Sequence, residues 1–308
     1  MTENEDMEIE TLGLSELALK LKASSVVIAG NRGTGKTNLA KHLAREFLGF
    51  ENVTVQIYDS SLAWFNDFDK IPFQFCSDYI PFDCPNPSEN PNMLFSIEFE
   101  DSEDINFIVR ECIRENYLYR RTKTIANGMT QKFAKFLGDK PNNFEPNPCH
   151  YIAFIEEAQN TIGTYALMSR DGRKWLKILS DCRNLNMSIF LIGQRLSDIS
   201  AKAIERCNCY FFGRLTGDND LIKVRRILGS DNKHIVERIK RLEVGEFIFY
   251  DGKTVYFVKL PKFTTKETPI LVNEQKAWFK LRLDSEQPQN MRSEISYWIK
   301  NLNRGLKQ

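Results

Sequence analysis

The segment Gly30-Asn31-Arg32-Gly33-Thr34-Gly35-Lys36-Thr37 constrains this chain more than any other feature. It fits the spacing G-x-x-x-x-G-K-[ST]. A short apolar, β-branched run, 24–30, precedes it, and Leu39, His42, Leu43 and Phe47 follow at helical spacing. A strand, a glycine-rich turn and a helix in succession make a phosphate cradle. The glycines let backbone amides turn inward and approach an anion closely. A helix that begins at Lys36 aims its free amides and the positive end of its dipole at the same anion. Lys36 can reach the β- and γ-phosphates, and the Thr37 hydroxyl can bind Mg²⁺. The expected nucleotide ligands are Gly30, Asn31, Arg32, Gly33, Thr34, Gly35, Lys36, Thr37 and Asn38, and the expected cofactors are ATP and Mg²⁺.

The remaining pattern supplies a sheet around this loop. Apolar or alternating runs predict strands at 53–61, 73–80, 93–99, 151–160, 188–195 and 209–215, with 93–99 at an edge. Helices are predicted from a capping signal at Ser102 to about 125, over Met129 to Phe136, and at 172–186, 200–208, 219–228 and 233–242. Residues 15–23 read as strand by alternation and as helix by composition. Asp251-Gly252 between two β runs predicts a hairpin. Stretches 81–92 and 138–150, rich in Pro, Asn and Asp, predict loops. Strands alternating with helices predict an α/β fold, a mainly parallel sheet with helices on both faces and a ligand site at the C-terminal edge of the strands. The expected organisation is a lead-in over 1–23, an ATPase domain over 24–262 with a helical insert at about 101–148, and a C-terminal helical tail over 263–308, with helices near 274–283 and 292–306.

Ile152 to Glu157 reads as a buried strand closing on two carboxylates. Neighbours on a strand point to opposite faces, so two roles follow. Glu156 is expected to hold the Mg²⁺ shell and Glu157 to polarise the attacking water, although the alternation does not say which acid takes which role. Gln194 closes the next buried strand, where an amide can bond both the γ-phosphate and the water. Arg183 lies on the helix before that strand. An arginine at a subunit edge can stabilise charge on a neighbour's nucleotide, and Arg195, Arg206 and Arg214 are its rivals.

Composition narrows the alternatives. The 308 residues carry a net charge of +1, with 42% hydrophobic and 27% charged residues, as in ordinary globular proteins. No apolar run approaches the roughly 18 residues of a membrane span. The acidic N-terminus, MTENEDMEIE, lacks the pattern of a secretory signal. A cytoplasmic protein (host cytoplasm, if viral) is expected. The seven cysteines have no zinc or disulfide spacing, so reduced, buried thiols are expected.

Taken in order, GNRGTGKT, a strand ending YDSS, IAFIEEAQN and CRNLNMSIFLIGQRLSDISAKAIERCNCYFFGRL resemble the HerA/FtsK superfamily of DNA-pumping ATPases. The hairpin from Val244 to Leu260 is similar to the one that closes HerA-like domains. The likeness covers about residues 24–262. It implies a RecA-like P-loop NTPase core and a ring, usually a hexamer, with ATP between subunits and double-stranded DNA in the pore. It also implies Lys36 and Thr37 as nucleotide ligands, Glu157 as the catalytic carboxylate, Gln194 as sensor and Arg183 as the trans-acting arginine. A nuclease, a capsid portal or a relaxase would be the partner, according to pathway. Two positions depart from the family pattern: Glu156 stands where Asp is usual, and Gly193 where Thr is usual. Genome-packaging ATPases of double-stranded DNA viruses and conjugation ATPases are also similar. Basic clusters at 120–123, 223–226 and 238–241 read mainly as solvated helix faces, and Tyr117, Tyr119, Phe133 and Phe136 as packing residues. The rival function is a protein-directed assembly or secretion ATPase that does not act on DNA.

Overall fold

A computed structural model of the chain describes residues 9–61, 63–64, 67–68, 71–77, 84–98, 102–138, 146–163, 167, 170–229 and 232–261. The tail helices expected near 274–283 and 292–306 lie outside the described residues, as does most of the acidic N-terminus. In chain order the strands are β1 (Ser25–Ala29), β2 (Val53–Asp59), β3 (Phe73–Ser77), β4 (Met93–Glu98), β5 (His150–Ile155), β6 (Met187–Gly193), β7 (Cys209–Phe212), β8 (Glu246–Tyr250) and β9 (Val255–Lys259). The helices are α1 (Leu14–Lys20), α2 (Lys36–Leu48), α3 (Ser102–Phe136), α4 (Gln159–Ile162), α5 (Arg170–Asp181), α6 (Ala201–Ile204), α7 (Asp218–Leu228) and α8 (Lys233–Ile239), with a 3-10 turn at Cys182–Leu185. The strands form one sheet in the order β3-β4-β2-β5-β6-β1-β7-β8-β9. It is parallel from β3 to β7, and the β8–β9 hairpin adds antiparallel strands beyond β7.

β1, β5 and β6 are buried along their whole length, as strands covered on both faces must be. Alternate residues feed two cores. Val26, Ile28, Ile57, Phe154 and Phe190 pack on α1, α2 and the segment bearing Trp64 and Phe68. Val27, Ala29, Ile155, Ile189 and Leu191 pack on α3 to α8. Each face is thus closed by helices, and the two ends of the parallel strands become distinct edges.

Three expectations are corrected, and two are completed in detail. β4 is not an edge strand: it lies between β2 and β3, with Leu94 in one core and Phe95 in the other, stacked on Tyr58 at a centroid distance of 4.9 Å. The two helices expected over 102–136 are one helix of 35 residues, about 52 Å at 1.5 Å per residue. Gly128 costs stability there but keeps helical geometry; the positive φ comes only at Gly138, +83°. The open segment 15–23 forms α1, with Leu17 and Ala18 buried. The hairpin loop has four residues, Asp251 to Thr254, with the Asp251 carboxylate accepting from the Lys253 and Thr254 amides. Phe133 and Phe136 are not packed: they are 65% and 84% exposed on the outer side of α3, whereas the Tyr117 ring is buried and its hydroxyl donates to Asp181 at 2.8 Å.

All seven cysteines are free, and five are buried. Among the described residues, no helix is long and apolar enough to cross a membrane.

Candidate nucleotide site

The loop from Gly30 to Gly35 joins β1 to α2, and its shape follows from its glycines. Gly33 and Gly35 take φ of +78° and +93°, which a side chain would strain. Gly30 has no room for one: an added Cβ would stand 2.7 Å from the Thr34 hydroxyl and 3.3 Å from the Gly213 Cα. The loop is braced from behind. The Asn31 amide donates to the Arg214 carbonyl at 2.8 Å, the Gly245 amide donates to the Thr34 carbonyl at 3.0 Å, and the Asn31 side chain donates to the Thr216 hydroxyl at 2.9 Å. Around the would-be Cβ of Gly33 no described atom lies within 4 Å, so the cradle is open on that side. Lys36 begins α2, and its ammonium donates to the Asn31 carbonyl at 3.1 Å, across the loop. Burial lowers its pKa, while the Glu156 and Glu157 carboxylates pull it back up.

β5 ends at Ile155, so both acids lie beyond the strand and strand alternation does not separate them. The backbone does. Glu157 adopts a left-handed conformation, φ +48°, which is rare for a residue with a Cβ and costs about 1–3 kcal/mol. Glu156 turns into a buried nest: the Trp64 indole N–H donates to its Oε1 at 3.0 Å, and the nearby Thr37 hydroxyl favours its charged form. Glu157 faces the end of β6 instead. Gln194 Nε2 donates to its Oε1 at 2.9 Å, and Gln159 Nε2 donates to Oε2. Gln194 lies one residue past β6 rather than on it, and is exposed. Gln159 Oε1 is buried with no hydrogen-bond partner among the described residues. Each oxygen of Glu157 is therefore held by an amide, which fixes the carboxylate facing.

The donor set fits Mg²⁺. A neighbouring hydroxyl and carboxylate, Thr37 and Glu156, are hard oxygen ligands beside the phosphate cradle, and this ion takes few protein ligands. Without a cation, Glu156 is under electrostatic load. Burial, then the nearby Asp59, raises its pKa to about 7 against the relief of the Trp64 indole and the Thr37 hydroxyl. Burial likewise raises Asp59, whose carboxylate accepts the amides of Ser61 and Trp64 and so shapes the turn that presents Trp64. The segment is tied again at Asp67, whose carboxylate meets Lys41 of α2 at 2.9 Å with both side chains buried.

The linkage has a definite sign. A carboxyl whose folded pKa lies above its unfolded value stabilises the fold at pH below about 4.5, and that contribution is lost as pH rises through about 7. Asp59 acts in the same direction. Nucleotide-free, Mg²⁺-free protein should therefore lose thermal stability between pH 5 and 8. Glu156→Gln should flatten that loss and melt several degrees above the parent at pH 8; equal melting curves at pH 8 would contradict the buried-charge account.

The topology also sorts the arginines. Arg183 lies in the 3-10 turn before β6, at the edge opposite the phosphate loop. The seven residues of β6 span about 20 Å, so Arg183 does not reach the phosphates of its own chain. Arg206 precedes β7 at that same far edge, while Arg195 and Arg214 follow β6 and β7 at the phosphate-loop edge. All four are exposed. Trp64, Gln159 and Gly245 were not among the site residues singled out from sequence.

No known family's sequence profile matches the chain, and no curated protein matches it. Solved structures do. The genome packaging NTPase B204 from Sulfolobus turreted icosahedral virus 2, in complex with sulfate, superposes with a TM-score of 0.52 at 14% identity, over 79% of this chain and 98% of that one. The same protein with AMPPCP gives 0.52 at 14%, over 78% and 99%. B204 described as the DNA-packaging ATPase from Sulfolobus turreted icosahedral virus gives 0.51 at 15%, over 79% and 100%. At such identities the likeness is one of fold. The chain has the P-loop NTPase fold of these proteins, which bears out the fold class.

Proposed function

We propose that the chain is an ATP-hydrolysing motor that moves double-stranded DNA, working as a homo-oligomeric ring, a hexamer, with ATP between subunits. The observation that carries the reading is the convergence of three elements at one sheet edge: the open glycine cradle with Lys36, the Thr37–Glu156 pair, and Glu157 held by Gln194. The shared fold with genome-packaging NTPases supports DNA as the cargo.

The loop amides and Lys36 bind the phosphates and orient the γ-phosphoryl group. Thr37 and Glu156 would hold Mg²⁺, which would supply charge neutralisation on the phosphate oxygens. Glu157 positions a water in line with the γ-phosphorus and accepts its proton as the new P–O bond forms. The bond to the β–γ bridging oxygen breaks, leaving ADP and phosphate. Gln194, bonded to the Glu157 carboxylate, acts as the sensor that reports which nucleotide is bound. Arg183, on the far edge, acts on a neighbouring subunit's nucleotide, and ring formation completes the site. Residues 24–262 form the motor domain and 263–308 an appended tail.

ATP turnover measured with and without double-stranded DNA, at low and moderate salt and alongside the mass in solution, tests this. A hexamer-sized particle whose turnover rises with DNA, with the stimulation fading as salt increases, is the expected result, because pore contacts to phosphates are salt-sensitive. A rate indifferent to DNA at both salts would turn the reading toward a protein-directed ATPase.

A further inference from the structure

The loop that follows Gln194, residues 195–200, is held by a helix that sequence alone assigns to the surface. α7 offers Asp220, 4% exposed, whose Oδ1 accepts the Ser197 amide at 2.7 Å. One turn on, the Lys223 ammonium donates to three carbonyls, Leu196, Ser197 and Ile199, each at 3.2 Å. An ammonium has three N–H donors, so these contacts take all of them. The side chain that counted toward a basic cluster at 223–226 is therefore turned inward, while Arg225 and Arg226 stay exposed. The far side of the loop is fixed too. Ile199 bridges Gly163, and the Ser200 amide donates to the Ile162 carbonyl at 3.1 Å at the end of α4, the helix that begins with Gln159.

The contacts close a circuit. Glu157 is bonded to Gln194 and Gln159; Gln194 leads into the loop, which is held by Lys223 and Asp220 on one side and by α4 on the other. A loop with three carbonyls gathered on one cation has little freedom to change conformation, and Gln194 is one residue from its start. We propose that Lys223, supported by Asp220, is a positioning residue that sets Gln194 against Glu157 and so controls the hydrolytic step without touching nucleotide. This rests on the proposed roles of Glu157 and Gln194.

A double-mutant cycle separates this role from a merely structural one. Lys223→Met should lower kcat at least tenfold, with KM for ATP and affinity for a fluorescent ADP analogue within about twofold of the parent, and Gln194→Ala should do likewise. The combined variant should be no slower than Gln194→Ala alone, because Lys223 acts through Gln194. Lys223→Gln, which keeps a donor and most of the stem, should fall between parent and Lys223→Met, and serves if the methionine variant does not fold. Losses that multiply in the combined variant, or an unchanged kcat in both Lys223 variants while Gln194→Ala is slow, would overturn the proposal. An unchanged kcat in Gln194→Ala would instead overturn the sensor reading on which it rests.

Discussion

Replacing Lys36 with alanine should abolish ATP turnover, and it should do so by weakening binding. The ammonium crosses the loop, bonded to the Asn31 carbonyl at 3.1 Å and half withdrawn from water. The Asn31 bond is readily exchanged for phosphate oxygens, because a charged acceptor competes well with a neutral carbonyl. Truncating one partner of a buried, hydrogen-bonded charge pair costs about 2–5 kcal/mol, roughly 30- to 5000-fold in nucleotide affinity. The fold should survive, since α2 buries Leu39, Leu43 and Phe47 rather than Lys36. The melting temperature of the nucleotide-free variant checks that, and titration with a fluorescent ATP analogue checks the affinity. Retained turnover in a folded variant would mean that the hydrolytic site lies elsewhere.

Glu157→Gln should separate binding from chemistry. The substitution keeps the shape and both amide neighbours but removes the acceptor of the water proton. General-base groups contribute about 10²–10⁴-fold to rate, and a loss in that range is expected in kcat. Nucleotide affinity should hold, because Glu157 lies beyond the loop and makes its bonds to Gln194 and Gln159. Glu156→Gln at the same pH should instead raise the Mg²⁺ needed for half-maximal turnover. The opposite pattern, with Glu156→Gln slow at saturating Mg²⁺ and Glu157→Gln needing more of it, would exchange the two roles.

The phosphate loop was legible because its chemistry is local: eight consecutive residues carry the turn, the amides, the cation and the hydroxyl. The different surroundings of Glu156 and Glu157 were not. They depend on β5 stopping at Ile155 and on a positive φ at Glu157, which no residue pattern announces. Trp64 was invisible for a different reason. Its indole reaches Glu156 across 92 residues of chain, and a lone tryptophan in a loop reads as packing. Lys223 was misleading, since a lysine beside two arginines suggests a solvated face, and only the tertiary position of three carbonyls turns it inward. The single long α3 shows the limit of breaker signals: a glycine in mid-helix weakens a helix without ending it.

The most direct measurement is ATP-driven displacement of a third strand from a triplex placed at the far end of a DNA duplex. The motor reading predicts displacement by the parent protein with ATP and Mg²⁺, delayed in proportion to the duplex length between loading site and triplex, and none by Lys36→Ala. Brisk ATP hydrolysis with the third strand left in place on every duplex length would contradict it.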